Sequence, residues 1–494
     1  MSGITRRAFV TSISVAALSV ADANDGWVEL FNGRNLDGWR PGGNADSWKV
    51  SEGLLVGEGP TSHLFYNGPV RDAGFRNFDL IAEIKTAVQC NSGVYFHTAW
   101  QESGSPKKGF KVQVSNTDRG HAARRAPNRT ASLCGLRNVY KQLVDDDRWF
   151  EMQISVHAKN VQVRLNGTLV VDYVEPASPV IPDGPERERF LDKGTFALQC
   201  DMGPRVSYRS VRVRPLPDDL TASVGAPVVD DVYRKVISFG RRNIPMVDYH
   251  VHLKEGLTLE QALAKSRRDG IFYGVAINGG KGFPIESDEG IQKFYDSMRA
   301  QPVFIAMQAE GREWRRLFSK RVAALFDYVF TDSMTWSDDS GKRMRLWIPE
   351  EVGTIADPQA FMDMLVRRAV GILEQEPIDI YVNPTYLPAS IAKDYDRLWT
   401  DERMDKVIVA AARNQVAIEM NDRYKIPSPR FIRRAREAGC KFTLGTNNAG
   451  PNDLGRSEYG LRMIDECKLE WQNFFAPQAW WPKAVDRKGD TLLA

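Results

Sequence analysis

Two histidines at the end of an apolar segment are the clearest chemical feature of the sequence. The segment IPMVDYHVHL, residues 244–253, carries His250 and His252. Its apolar character predicts a buried strand, and side chains two positions apart on a strand point to the same side. Two adjacent imidazoles can begin a metal site, and they are also suited to hydrogen-bonding a ligand or a partner domain.

Three carboxylates at the ends of later apolar segments are candidates to complete a metal site. They are Glu310 in VFIAMQAE, Asp332 in DYVFTD and Glu419 in VAIEMN. Two histidines and a carboxylate hold one divalent ion, here zinc or manganese, and leave positions open for water or substrate. The chain has six histidines and none follows His252, which excludes a multinuclear cluster of four or more imidazoles in this part of the chain. The alternative is a protein that binds no metal here and keeps the pair for hydrogen bonding.

The periodicity of apolar residues divides the chain into two domains. Residues 24–217 contain short alternating segments between turn signals, which predicts an all-β sandwich of the jelly-roll type. Pro, Gly and Asp dominate the stretch 214–231, where no periodicity is visible, and we assign residues 218–235 to a linker. Apolar strands alternate with helical segments over residues 236–470, which predicts an α/β barrel of the TIM type with its active face at the carboxyl ends of the strands. Residues 471–494 form an aromatic C-terminal tail.

Polar residues alternate with apolar ones on several predicted strands of the sandwich. In GVYFH, the alternation places Tyr95 and His97 on one face and Val94 and Phe96 on the other. The same alternation selects four more residues as candidate substrate-binding residues: Lys111, Gln113, Gln199 and Asp201. A polar face with an aromatic ring can bind sugar hydroxyls and stack a pyranose, although a solvated outer face alternates in the same way.

The sandwich segment resembles the 3-keto-disaccharide hydrolase domain family. The similarity rests on stretches that occur in the family's order: GWVELFNGRNLDGWR, NSGVYFH, GFKVQVSN, DRWFEMQISV, VRLNGTLVVDY and GTFALQCDMGPRVSYRSVRVRPL. His97 stands where the family usually has Arg, and Lys111 stands where it often has Glu. The resemblance implies a concanavalin-like fold and an activity on oxidised glycosides.

Such an activity differs from ordinary glycoside hydrolysis. Ordinary enzymes use two carboxylates, and the E-x-D-x-x-E pattern of concanavalin-like glycosidases is absent from this chain. A ketone at C3 of the sugar acidifies the hydrogen at C2, so a base can remove it and the leaving group can depart from C1. Water then adds back, and His97 is the candidate base by chemistry.

The second domain resembles the polymerase-and-histidinol-phosphatase (PHP) hydrolases, and more generally the amidohydrolase barrels. VDYHVHL is similar to their first metal motif, and VFIAMQAE, IDIYVNPT, AIEMN and FTLGTNNAG are similar to later strand ends. Several family ligands are replaced: Asn383 stands for a His, and Asn447 stands for an Asp. The resemblance implies a degenerate metal-dependent barrel in which His250 and His252 are catalytic or bind metal, and Asn383 and Asn447 bind substrate hydroxyls.

The first residues predict export from the cytoplasm. Residues 1–23 combine Arg6-Arg7, a short apolar run and an Ala-Asp-Ala end, which is typical of a twin-arginine signal peptide of a periplasmic or secreted protein. The formal net charge of +3 is scattered, so no nucleic-acid partner is expected, and no transmembrane segment is expected after signal removal.

Three functional hypotheses follow from these observations. The first is an exported hydrolase that cleaves 3-keto-glycosides by elimination and hydration. The second is a metal-dependent hydrolase barrel with a carbohydrate-binding sandwich, and the third is a non-catalytic periplasmic sugar-binding protein. The oligomeric state, the sugar and the linkage are not determined by the sequence.

Overall fold

The first domain is a sandwich of two antiparallel sheets, as predicted. The computed structural model describes residues 26–117, 128–181, 189–337, 342–477 and 482–493. The larger sheet has the order β11-β10-β9-β6-β13-β4-β3 with β1 beside β13. Its strands are β1 (Val28–Glu29), β3 (Trp48–Ser51), β4 (Leu54–Gly59), β6 (Phe78–Thr86), β9 (Phe150–His157), β10 (Asn160–Leu165), β11 (Thr168–Val174) and β13 (Gly203–Pro215).

The smaller sheet has five strands in the order β2-β5-β12-β7-β8. Its strands are β2 (Trp39–Gly43), β5 (Ser62–Tyr66), β7 (Ser92–Thr98), β8 (Phe110–Val114) and β12 (Thr195–Cys200). One face of this sheet contributes Leu64, Val94, Val112 and Leu198 to the apolar core between the sheets. Because side chains alternate along a strand, the intervening polar residues lie on the opposite face.

The second domain contains a closed barrel of seven parallel strands among the described residues, one strand fewer than the TIM type. Its strands are β14 (Val247–Val251), β15 (Phe272–Gly279), β16 (Phe304–Ala309), β17 (Tyr328–Thr331), β20 (Ile380–Tyr381), β21 (Ala417–Asn421) and β22 (Phe442–Gly445). A short hairpin, β18 (Thr335–Ser337) and β19 (Arg343–Arg345), follows β17.

Helices surround the barrel and connect its strands. They are α1 (Asp231–Arg241), α2 (Leu259–Asp269), α3 (Asp288–Met298), α4 (Lys320–Ala323), α5 (Pro349–Val352), α6 (Pro358–Gln375), α7 (Tyr395–Leu398), α8 (Asp401–Arg413), α9 (Pro429–Glu437), α10 (Glu458–Glu466) and α11 (Ala484–Lys488). The first of them, α1, begins inside the segment assigned to the linker. Tyr233, Val236, Ile237 and Gly240 are buried on it at helical spacing.

The sandwich docks against the amino-terminal ends of the barrel strands. Tyr140 accepts a hydrogen bond from the backbone N–H of Met246, just before β14, at 3.0 Å. Its ring also packs edge-on against Phe272 at the start of β15. Lys141 donates to the carbonyl of Val303, just before β16, at 2.9 Å. The carboxyl ends of the barrel strands, which carry His250 and His252, therefore point away from the sandwich.

The C-terminal tail contributes to the barrel core. Tyr249 donates from its hydroxyl to the carbonyl of Phe475 at 3.0 Å, and the Phe475 ring is buried beside it. The backbone N–H of Ala484 donates to Asp379 at 2.7 Å. Within the described ranges, no helix is both long and apolar enough to cross a membrane. The proposed signal peptide, residues 1–23, lies outside those ranges.

Candidate functional site

Strand register gathers a row of polar side chains on the smaller sheet of the sandwich. Gln199 of β12 pairs with His63 of β5 on one side and with Gly93 of β7 on the other, and Gly93 pairs with Gln113 of β8. In the next row, Tyr95 pairs with Lys111. Cross-strand partners project to the same face of a sheet. We define the sandwich face by five residues: His63, Tyr95, Lys111, Gln113 and Gln199.

Asp201 lies at the edge of the sandwich face, directly after β12. Its carboxylate accepts hydrogen bonds from the Thr61 hydroxyl at 2.7 Å and from the Asn91 amide at 2.9 Å. Asn91 in turn accepts from the Gln113 amide at 3.0 Å. Asp201 is therefore linked to the sandwich face through Asn91.

Lys111 crosses the sandwich face above a glycine. A Cβ atom added at Gly93 would lie 2.3 Å from Cε of Lys111, so the lysine stem occupies the space that a side chain at position 93 would fill. Burial lowers the pKa of the Lys111 ammonium, which the neighbouring Cys134 and Asp201 partly oppose. The amine consequently loses its proton more readily than an exposed lysine.

His63 belongs to the sandwich face, although the sequence did not single it out. Its ring is 1% exposed, packs edge-on against Tyr95 with centroids 5.4 Å apart, and leaves Nε2 without a hydrogen-bond partner among the described residues. Burial and, to a smaller extent, the nearby Lys111 lower its pKa to about 4, so the imidazole is neutral at pH 7. The pairing with Gln199 and the ring contact with Tyr95 place this histidine beside the predicted residues.

The predicted placement of His97 beside Tyr95 is wrong. The register between β7 and β12 shifts by one residue there, and His97 adopts a φ of 54°. Its ring therefore turns to the other face and packs against Phe78 of the larger sheet. Nε2 contacts the carbonyl of Arg76 at 2.9 Å and Nδ1 accepts from the N–H of Asp192 at 3.3 Å, so both nitrogens are engaged away from the sandwich face.

A cavity of about 370 Å³ is lined by residues that neighbour the sandwich face. It lies between the two domains and is lined by Asn128, Cys134 and Arg189 of the sandwich and by Gly240 and Arg241 of α1. Cys134 Sγ lies 3.8 Å from the Gln113 side-chain oxygen.

A second set of polar residues occupies the carboxyl ends of the barrel strands. We call it the barrel centre and define it by His250, His252, Glu310, Asp332 and Glu419. The two imidazoles are adjacent, with ring centroids 5.1 Å apart. Nδ1 of His250 bonds Glu419 at 2.6 Å, whereas Nε2 of His252 is buried without a partner among the described residues. The strand order therefore brings His250 of β14, with His252 directly after the strand, beside a carboxylate of β21.

Asparagine amides donate hydrogen bonds to the three carboxylates of the barrel centre. Asn278 donates to Glu310 at 2.7 Å, Asn383 donates to Asp332 at 2.9 Å, and Asn421 donates to Glu419 at 2.9 Å. Asn447 donates to the Asn383 oxygen at 3.2 Å. Asn383 and Asn447 both have a φ of 50°, a left-handed conformation that asparagine tolerates better than most residues. Asn383 and Asn447, which were predicted to bind sugar hydroxyls, thus hydrogen-bond to each other, and Asn383 also donates to Asp332.

The barrel centre, as arranged, does not fit a metal ion. In the part of the chain that the structure describes, no three His, Cys, Asp or Glu side chains group so as to hold one. The carboxylates that would coordinate it accept from amides and from His250 instead. The single zinc or manganese ion therefore stays a prediction from the sequence.

Two carboxyl groups of the barrel centre influence each other's ionisation. Burial and the nearby Asp332 raise the pKa of Glu310 to about 7. Burial also raises the pKa of Asp332. Two carboxylates buried close together resist simultaneous ionisation, and although Lys254 and Arg312 oppose the shift of Glu310, this end of the barrel can hold a proton at neutral pH.

Comparison with known proteins finds a family model that is similar to the first domain. Residues 26–214 match the model of a family described as the 3-keto-alpha-glucoside-1,2-lyase-like domain. No curated protein is similar in sequence to the chain.

Two solved structures are similar to part of the chain. A protein from Parabacteroides distasonis ATCC 8503, provisionally named a glycosyl hydrolase, is 19% identical, with 39% of this chain and 95% of that chain covered and a TM-score of 0.32. The carbohydrate-binding module CBM66 from Bacillus subtilis is 11% identical, with 35% and 94% covered and a TM-score of 0.25. Likenesses this weak carry no conclusion about function.

Proposed function

We propose that the sandwich face is the active site of a hydrolase that cleaves 3-keto-glycosides by elimination and hydration. The family match of residues 26–214 supports a carbohydrate-related activity of this kind. The observation that carries the proposal is the juxtaposition on one sheet face of a neutral imidazole, His63, whose Nε2 has no hydrogen-bond partner among the described residues, with a lysine of lowered pKa, Lys111. The pair offers a base and a proton donor without paired carboxylates.

In the proposed reaction, His63 removes the proton at C2 of the sugar. The electrons of the C2–H bond form an enolate with the C3 ketone, and the Lys111 ammonium stabilises the charge on the enolate oxygen. The enolate then expels the C1 substituent, which takes the proton that His63 removed from C2, and a C1–C2 double bond forms. Water adds at C1 and a proton returns to C2, so the net change is hydrolysis. Gln113 and Gln199 hydrogen-bond sugar hydroxyls, and Tyr95 contacts the ring.

The proposal is tested with a 3-keto-disaccharide and the same disaccharide before oxidation. We expect the wild-type protein to release product from the oxidised sugar alone, because only the ketone acidifies the C2 hydrogen. His63→Gln should abolish turnover, whereas His97→Gln, on the other face, should leave the rate constant of folded protein nearly unchanged. Absence of product from both sugars would refute the activity.

The same experiment separates the two alternative functions. Tight, equal binding of both sugars without product would support a non-catalytic sugar-binding protein. Turnover that survives His63→Gln and disappears with His250→Ala would support a barrel hydrolase with an accessory sandwich. Neither alternative has a specific observation in its favour comparable to the buried pair on the sandwich face.

We also propose export through the twin-arginine pathway, on the basis of residues 1–23 alone. The Arg6-Arg7 pair is the testable element. Replacing both residues with lysine should retain the protein in the cytoplasm, as measured by cell fractionation beside the unaltered chain. Equal export of both forms would contradict the proposal.

A further inference from the structure

A cavity outside both polar centres gathers arginines and hydroxyls beside strand β17. It has a volume of about 190 Å³ and lies between the turn that follows β16, the residues that follow β17, and helix α6. The lining residues that matter here are Arg312, Arg315, Ser333, Thr335, Arg368 and Gly371. We call this cavity the Arg315 pocket.

Three buried polar atoms in the wall of the Arg315 pocket lack a hydrogen-bond partner among the described residues. They are Nε of Arg312, Nε of Arg315 and Oγ1 of Thr335. Thr335 is 3% exposed, so bulk water does not readily satisfy its hydroxyl. Buried polar groups are nearly always hydrogen-bonded in folded proteins. Three such groups around one cavity therefore point to a ligand that accepts hydrogen bonds.

The charged side chains in the pocket wall indicate the sign of the charge on that ligand. Arg312 is balanced by Glu376 at 2.7 Å and is held in place by a further hydrogen bond to the Thr331 hydroxyl at 2.9 Å. Arg315 has no ion-pair partner in the described part of the chain. The guanidinium of Arg368 lies 4.3 Å from the centroid of the Trp336 ring. The positive charge in the wall thus exceeds the negative charge.

We propose that the Arg315 pocket binds a small oxyanion, that is, a carboxylate or phosphate group carried by a polar small molecule. Guanidinium groups bind both oxyanions through paired, charge-assisted hydrogen bonds, and the Thr335 hydroxyl supplies a third donor. On the opposite wall, a Cβ added at Gly371 of α6 would meet no atom within 4 Å, so space for the rest of the ligand is open there. This site is independent of the activity proposed for the sandwich face.

The test is calorimetric titration of the full-length protein with inorganic phosphate, with glucuronate and with uncharged glucose. We expect one site per chain for at least one of the two anions and none for glucose. Phosphate alone or glucuronate alone would identify the oxyanion, and binding of both would show a general oxyanion site. Absence of binding by either anion would overturn the proposal.

Three variants separate the pocket from non-specific attraction to arginines. Arg315→Gln should weaken anion binding about tenfold or more, because a charge-assisted pair is lost. Gly371→Leu keeps every charge but fills the cavity, and it should abolish binding. Arg321→Gln removes an arginine whose side chain is 70% exposed outside the pocket, and it should change nothing. Unchanged affinity in folded Gly371→Leu protein would also overturn the proposal.

Discussion

His63 and Lys111 owe their chemistry to burial rather than to residue type. Loss of water disfavours the charged form of each side chain, which lowers both pKa values. The charge of the Lys111 ammonium also disfavours protonation of His63 and so lowers the pKa of the imidazole. At the residue scale, burial on the sandwich face therefore keeps the His63 imidazole uncharged.

The burial of His63 predicts a specific pH dependence of stability. Its pKa is about 4 in the folded protein and about 6.5 in an unfolded chain, so the unfolded state binds more protons between these values. The contribution of the uncharged His63 to the free energy of unfolding is therefore complete above pH 6.5 and is lost as the pH falls towards 4. We expect wild type to lose about 2–3 kcal/mol more than His63→Gln over this window, measured by chemical denaturation at several pH values. Parallel curves for the two proteins would contradict the burial of the imidazole.

Gly93 tests the position of the Lys111 amine without removing any functional group. In Gly93→Ala, the new methyl group would overlap Cε of Lys111, so the flexible lysine stem must move. We expect kcat/KM to fall by about tenfold to a hundredfold with little change in Tm, because misplacement of a catalytic group is costly. Gly225→Ala, where an added Cβ meets no atom within 4 Å, is the control. Equal rates in both variants would show that Lys111 does not act from this position.

At the scale of elements, the extra residue in β7 determines which histidine faces the site. The bulge at His97 fits because Gly109 and Gly194 leave room for its backbone: added Cβ atoms would lie 2.2 Å from the Phe96 oxygen and 2.4 Å from the His97 carbonyl carbon. A regular strand would have turned His97 to the sandwich face with Tyr95. The local break in alternation thus removes one imidazole from the site and leaves His63 there.

Substitution of Gly109 should report on the bulge. Gly109 has a φ of 80°, so an alanine there meets both an unfavourable backbone conformation and the Phe96 carbonyl. We expect Gly109→Ala to lower the free energy of unfolding by about 2–4 kcal/mol. Gly33 has a φ of 73° but open space around it, so Gly33→Ala should cost only about 1 kcal/mol. Similar losses in the two variants would mean that the close approach at Gly109 contributes nothing.

The strand ends of the barrel give a second prediction at this scale. Because asparagine amides already donate hydrogen bonds to the carboxylates of the barrel centre, we expect the protein to fold without a metal ion. Protein prepared with zinc and manganese in the medium should carry well under one ion per chain, and a chelator should leave Tm unchanged. One tightly held ion whose removal lowers Tm would instead support the predicted metal site of two histidines and one carboxylate.

At the scale of the whole molecule, the docking of the sandwich separates the two polar centres. Arg137 of the sandwich is buried, and its guanidinium donates to the carbonyls of Arg267 and Arg268 at the end of α2, each at 2.9 Å. These contacts lie just before β15, on the amino-terminal side of the barrel. The barrel centre at the other end is therefore not shared with the sandwich, whereas the cavity beside the sandwich face is bordered by α1.

Removal of the Arg137 guanidinium should loosen the docking of the two domains. Arg137→Ala leaves the two α2 carbonyls without their charged donor, and we expect a loss of about 2–3 kcal/mol in the free energy of unfolding. Limited proteolysis should then cut between the domains more readily. Lys49→Ala, at a side chain that is 59% exposed, is the control. Unchanged stability and cleavage would show that the domains dock independently of Arg137.

The sequence by itself determined the two domain types and most of the strands, because alternation and helical periodicity are local properties of the chain. Tyr95, Lys111, Gln113 and Gln199 could be grouped for the same reason. Only the tertiary structure decided that His63 lies on the same face, that His97 lies on the opposite face, and that asparagines donate hydrogen bonds to the barrel carboxylates. Those outcomes depend on pairing between distant strands, on one register shift and on glycine contacts, none of which leaves a periodic signal in the sequence.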